Sequence, residues 1–256
     1  MCVAALAWSA HPRWRLVAIG NRDEYHDRPA APLGHWDDGS GIVAGRDLRS
    51  GGTWMGVTPD RSRFALITNL RGHGDPVPGR TSRGALVTDM LTATGRFGDP
   101  DTAALDDFNP FNLLLATRES LLFLSNRPES VRATLGPGIY GLSNGLLDEP
   151  WPKTLALKAA LLDWLASDGG SAEPLFAALA SKCRSDIGLH PASPSDVSAE
   201  PRETAPFILD PVYGTRCSTV IMVDAEGYGT ISERRYSPDA ALTGVSAESF
   251  FWPWQT

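Results

Sequence analysis

The sequence predicts an α+β fold built on largely antiparallel sheets. Strand-like, helical and again strand-like segments come in blocks and do not alternate as regular βαβ units. Neighbouring apolar runs are joined by short turn-like segments, the pattern of hairpins. No internal repeat or low-complexity linker divides the 256 residues, so one domain spanning 1–256 is the expected count.

The elements follow in order. CVAALAW and WRLVAIG, separated by the turn-like SAHPR, predict an N-terminal hairpin whose second strand feeds into GNRDEYHDRPAAP. Strand-like pieces follow at IVAG (42–45), TWMGV (53–57) and RFALITN (63–69), with Gly51–Gly52 and Pro59–Asp60 at the turns. A helix is expected to start at Ser82, a fitting N-cap, and to run to Gly95. FNLLLAT and SLLFLSN predict a second hairpin about Arg118–Glu119. In WPKTLALKAALLDWLASD, Leu155, Leu157, Leu161, Leu162 and Leu165 recur at helical spacing, and AEPLFAALASKC predicts a further helix. Residues 190–206 are rich in Pro and Ser and read as a long loop, expected to cover a site. The chain returns to strands at YGTRCSTVIMVD and GTISERRY.

Composition excludes several function classes. A net charge of −7 with scattered arginines speaks against a nucleic-acid footprint. No run reaches the roughly 18–20 apolar residues of a membrane span, and no signal-peptide pattern opens the chain. Cys2, Cys183 and Cys217 form no CxxC pair, which predicts free thiols, a reducing compartment and a cytoplasmic location. His11, His26, His35, His73 and His190 lack metal-ligand spacing, so neither metal nor cofactor is expected.

Two familiar patterns mislead. GPGIYG (136–141) fits G-x-G-x-x-G, but no helix follows, so its glycines read as turn formers. GLSNG (141–145) fits the serine nucleophile elbow, yet Asp148, Glu149 and Pro150 delay the next helix. Only His190 follows Ser143, so a serine hydrolase is the weaker reading.

The informative residue is Cys2. Removal of Met1 would give it a free α-amine, with a reference pKa of ~7.7–8.0, beside its own thiol. One residue then supplies both nucleophile and base. Such chemistry also needs a polar environment for the thiolate and donors for an oxyanion. The hairpin returns Asn21, Arg22, Asp23 and Glu24 to the side of Cys2, while Asn69, Asn144 and Arg216 lie at strand ends or in adjoining loops.

GNRDE (20–24), GRD (45–47), GGTWMGV (51–57), ITNLR (67–71), SRGALV (82–87), FNLLL (111–115), YGLSNG (140–145) and YGTRCST (213–219), with Met-Cys in front, resemble the NRDE family of transport and Golgi organisation proteins. The matches run in order from residue 2 to about 235. The resemblance implies an N-terminal-nucleophile fold, a four-layer αββα sandwich of two antiparallel sheets. It also implies a distant relation to the cysteine amidases that include penicillin V acylase and bile salt hydrolase. Carried over position by position, Cys2 matches the nucleophile and Asp23 the aspartate that contacts it. Asn69 and Asn144 resemble the two oxyanion-site asparagines, and Arg216 the late-strand arginine. Gly20 stands where the amidases carry an arginine three residues before the aspartate, which leaves Arg22 as the substitute cation.

The expected function is hydrolysis of a small non-peptide amide or related acyl substrate. The alternative is a binding or trafficking protein for an amphipathic ligand such as haem or acyl-CoA, with Cys2 or His26 as a haem ligand.

Overall fold

The computed structural model describes residues 2–253 apart from 168, 196 and 199. The N-terminal hairpin forms as its apolar runs require: β1 (Cys2–Trp8) is buried along its whole length and pairs with β2 (Trp14–Tyr25) in antiparallel register. Strands β3 (Ala30–His35), β4 (Val43–Asp47), β5 (Met55–Thr58) and β6 (Arg63–Asn69) then form a meander. Helix α1 (Arg83–Thr92) is capped by Ser82, whose Oγ accepts the Gly84 N–H at 3.2 Å. It stops three residues before Gly95, because Ala93 already takes the left-handed conformation and returns its N–H to Asp89.

The hairpin β7 (Phe111–Ala116) and β8 (Leu121–Ser125) continues into β9 (Val131–Leu135) and β10 (Gly138–Leu142). Gly138 and Gly141, expected in a turn, are therefore strand residues of β10. Helices α2 (Pro152–Ala166) and α3 (Glu173–Leu179) precede the long loop, and β11 (Tyr213–Asp224), β12 (Tyr228–Tyr236) and β13 (Leu242–Phe251) close the chain.

Two antiparallel sheets result, in the orders β10-β1-β2-β11-β12-β13 and β3-β4-β5-β6-β7-β8-β9. Strand alternation assigns each apolar residue to a layer. Leu6, Leu16, Phe64, Leu66, Leu114 and Ile231 fill the space between the sheets. Val3, Ala5, Val17 and Ile19 point the other way, onto Leu157, Leu161, Trp164 and Phe176 of α2 and α3. Ile42, Ala65, Ile67 and Leu113 face outward from the second sheet onto Leu86, Val87 and Met90 of α1. The architecture is a four-layer αββα sandwich, with Cys2 on a strand flanked on both sides by sheet partners. Truncating any of the fully buried leucines or isoleucines to Ala costs about 2–5 kcal/mol in such a core. No described helix is long and apolar enough to cross a membrane.

Candidate active site

Cys2 opens β1 at the end of the sandwich, where an open cleft of about 390 Å³ lies between the two sheets. Strand register sets its neighbours. Arg22 of β2 stands directly opposite Cys2, and Cys217 of β11 stands opposite Arg22 on the other side. Paired residues share a face, so the guanidinium is flanked by two thiols. All three cysteines are free; Cys2 and Cys217 are buried and Cys183 is exposed.

Each NRDE residue has its own task. Asn21 is fully buried and donates Nδ2 to the carbonyls of Leu179 and Pro206, both at 2.8 Å, while its Oδ1 accepts Ser218 Oγ at 2.6 Å. It ties β2 to the α3 end and to the long loop. Arg22 donates Nη2 to Asp47 at 2.7 Å. The buried Asp23 carboxylate accepts Thr215 Oγ1 at 2.7 Å. Glu24 lies 3.6 Å from both Arg22 and Arg28.

Asp47 organises this group. Its carboxylate receives Arg22 at 2.7 Å and Arg28 at 2.5 and 3.2 Å, along with the N–H groups of Arg49 and Ser50 at 3.1 and 2.9 Å. Burial alone would raise its pKa. The bonds from Arg28 and Ser50 and the charges of Arg28 and Arg22 outweigh burial and hold the carboxyl at about 2. Neither Asp47 nor Arg28 stood out in the sequence as a site residue, although the GRD motif at 45–47 was the available signal.

Burial pushes the Cys2 thiol up to about 11, with the Asp23 carboxylate acting in the same direction and Arg22 opposing. Burial likewise raises Asp23 to about 6, against the lowering charge of Lys153 and the bond from Thr215 Oγ1 at 2.7 Å. The Tyr213 hydroxyl donates to the Asp23 carbonyl at 2.9 Å and fixes the strand end.

Gly20 is explained by packing. A Cβ there would lie 2.9 Å from the Val3 carbonyl oxygen and 3.0 Å from the Trp54 ring. The Trp54 ring thus packs over Gly20, and Arg22 lies two residues on along the same face.

The expected site residues are only partly brought together on one surface. Cys2, Arg22, Asp23 and Asn69 line the cleft. Asn144 is wholly buried behind it, where its Nδ2 donates to the Asn69 carbonyl at 2.9 Å and its own carbonyl accepts the Arg71 N–H at 2.8 Å. The two asparagines are neighbours, with Asn144 supporting Asn69. Arg216 occupies a β-bulge between Thr215 and Cys217 and donates Nη1 to the carbonyls of Tyr25 and Arg28 at 2.7 and 3.0 Å. Its side chain lines an adjoining pocket of about 130 Å³ across Arg22, shared with Cys217 and Trp54. Ser143 of the GLSNG run donates Oγ to the Cys2 carbonyl at 3.1 Å, a structural tie. Met1, whose removal was expected, lies outside the described residues.

The 190–206 loop contributes nothing to the cleft wall among its described residues. Instead it inserts Glu200 beside Arg71 at 2.9 Å and Lys153 at 3.8 Å, all three buried, and Lys153 also donates to Thr204 Oγ1 at 2.9 Å. Lys153 and Glu200 act on Asp23 through their charge. Neither was legible as part of the site, because a lone lysine in an apolar helix and a lone glutamate in a Pro/Ser-rich loop carry no pattern.

No histidine or tyrosine lines the cleft among the described residues, and His26 spends Nε2 on the Asp210 carbonyl at 3.0 Å. Of the two expected haem ligands, Cys2 lines the cleft and His26 does not. Among the described residues no group of three or more His, Cys, Asp or Glu is placed to hold a metal ion.

Comparison with known proteins agrees with the sequence resemblance. The family model described as Transport and Golgi organisation 2 matches residues 1–238. The bovine Transport and Golgi organization protein 2 homolog (Bos taurus) is 33% identical over 263 residues, covering 91% of this chain and 92% of its own. The human homolog (Homo sapiens) is 30% identical with the same coverage. Transport and Golgi organization protein 2 of Drosophila melanogaster is 25% identical, covering 88% of this chain and 89% of its own.

Proposed function

The chain belongs to the Transport and Golgi organisation 2 family, and we propose that its cleft hydrolyses a small non-peptide amide or related acyl bond with Cys2 as nucleophile. One juxtaposition carries this reading. The thiol of residue 2 faces a cleft with the Arg22 guanidinium opposite and Asn69 on the wall.

A thiol near 11 is almost wholly protonated at neutral pH. It therefore needs a base within reach at the moment of attack. Removal of Met1 supplies one, the α-amine of Cys2 itself. That amine takes the thiol proton, and the sulfur forms a bond to the acyl carbon. The carbonyl electron pair moves onto oxygen, where donors from the Asn69 region, braced by Asn144, and the Arg22 charge stabilise it. Collapse of this intermediate breaks the carbon–nitrogen bond, and the protonated amine gives its proton to the leaving nitrogen. Water then attacks the thioester, its proton goes to the amine, and the released thiolate recovers that proton.

The roles of the site residues differ. Arg22 carries the charge that the amidases supply from position 20, and Asp47 and Arg28 keep it aimed. Asp23 holds negative charge near the amine. Arg216 positions the β2 end by clamping two carbonyls.

Carriage of a small amphipathic ligand is the second reading. It is favoured by the adjoining pocket, which places Ala30, Ala31 and Tyr236 beside Trp54. The test is a panel of acyl amides assayed with the wild-type chain and Cys2→Ala. Hydrolysis predicts product from the wild type alone. Binding without any Cys2-dependent product selects the carrier reading.

A further inference from the structure

The cleft has an uneven charge. Arg22, Arg28, Arg49, Arg80 and Arg83 line it, against Asp23, Glu24 and Asp47. The three carboxylates sit on the Cys2 side, where Asp47 and Glu24 already engage Arg22 and Arg28. The remaining arginines lie in the turn that follows Asp47 and around the start of α1. Arg49 is exposed, and its side chain has no ion pair or hydrogen bond among the described residues. Arg80 is exposed and gives Nη1 to the Asp106 carbonyl, which leaves its charge uncompensated. Arg83 gives Nη1 to the Pro110 carbonyl at 3.1 Å.

Arg83 is the first residue of α1. Glycine packing holds the two cationic segments together. A Cβ on Gly52 would lie 2.3 Å from the Gly84 carbonyl carbon, so only glycine lets the turn after Arg49 lie against the start of α1. A chain of net charge −7 thus concentrates positive charge on one wall of the cleft that holds its candidate nucleophile. Focused charge of this kind attracts and orients an oppositely charged ligand, and guanidinium groups suit planar or tetrahedral oxyanions.

We infer that the substrate carries an anionic oxygen group, a carboxylate or a phosphate, and that Arg49 and Arg80 receive it while the acyl carbon lies at Cys2. This rests on the reading of the cleft as the place where Cys2 meets its substrate. Arg49 and Arg80 set specificity for the anion, and neither takes part in bond making.

The test compares alkylation of Cys2 by anionic iodoacetate and neutral iodoacetamide, which share a leaving group. Exposed Cys183 in the same chain is the internal control. The iodoacetate-to-iodoacetamide rate ratio at Cys2 should exceed that at Cys183 by about tenfold at low salt, at the lower end of electrostatic steering effects. It should approach parity in high salt and in Arg49→Gln/Arg80→Gln. Both substitutions are on the surface and should leave the near-ultraviolet circular dichroism unchanged. Equal ratios in the wild-type chain, or a bias that survives the double substitution, overturn the inference.

Calorimetric titration of Cys2→Ala with inorganic phosphate and with succinate then separates the two sources of the anion. If Cys2 resists both alkylating reagents, this titration decides alone. Binding that is lost in Arg49→Gln/Arg80→Gln keeps the anion site and removes the nucleophile reading; absence of binding overturns the anion site.

Discussion

Asp47→Asn probes the electrostatic frame of the cleft. The substitution keeps the side-chain shape and leaves one oxygen for the Arg49 and Ser50 N–H groups, but it removes the charge that faces Arg22 and Arg28. A carboxylate titrating at about 2 in the fold and near ~3.9 unfolded is linked to roughly 2.6 kcal/mol of stability. The cleft is open to water, so screening leaves roughly 1–2 kcal/mol. The expected loss at pH 7 is therefore about 1–2 kcal/mol, which for a chain of this size lowers Tm by about 2–8 °C. The sign with pH follows from the depressed carboxyl. Its contribution is fully present above the unfolded value, declines as pH falls through the interval between the two values, and roughly half of it is gone by pH 3. Urea unfolding of both chains from pH 7 to pH 3 tests this. The gap between wild type and Asp47→Asn should narrow on acidification. A gap that stays constant to pH 3 would refute the ionic account of Asp47.

Three further outcomes follow. Asn144→Ala should lose about 1–3 kcal/mol of stability, because it leaves the buried Asn69 carbonyl without its donor, and turnover should fall about 100- to 1000-fold as the oxyanion site loosens; thermal melts and initial rates measure the two losses separately. Asp23→Asn should gain about 1–2 kcal/mol above pH 6, because a buried carboxyl raised to about 6 opposes folding when ionised, and this gain should vanish below pH 4, while activity drops. In a chain that retains Met1, iodoacetamide labelling of Cys2 should keep rising beyond pH 9, as a thiol near 11 requires, whereas a plateau at neutral pH would contradict that environment.

The sequence exposed those parts of the fold where apolar runs are dense. The 2–25 hairpin, β6, the β7–β8 hairpin and β11 are strands of mostly buried residues and were readable as such. Strand β3 was not, because Pro32 and Gly34 interrupt it and its ladder to β4 is irregular between Ala31 and Gly34. Strand β13 alternates between exposed and half-buried positions, with small polar residues among its apolar ones, and offers no apolar run.

The site divides in the same way. Cys2, Arg22 and Asp23 were legible because hairpin topology alone brings the end of β2 back to the start of β1. The Asn144–Asn69 pair depends on two sheets meeting, and the Asp47 hub on the turn of β4 into the cleft, so neither contact can be read from local pattern. The packing of Trp54 over Gly20 is likewise a contact between the two sheets that no local pattern carries.

The most direct test of the central claim is intact-mass spectrometry of the natively expressed chain, before and after rapid mixing with an anionic acyl-amide panel. The account predicts a chain lacking Met1 and a transient acyl adduct that maps to Cys2 and is absent from Cys2→Ala. A chain that keeps Met1, or one that releases product with no adduct on Cys2, would contradict it.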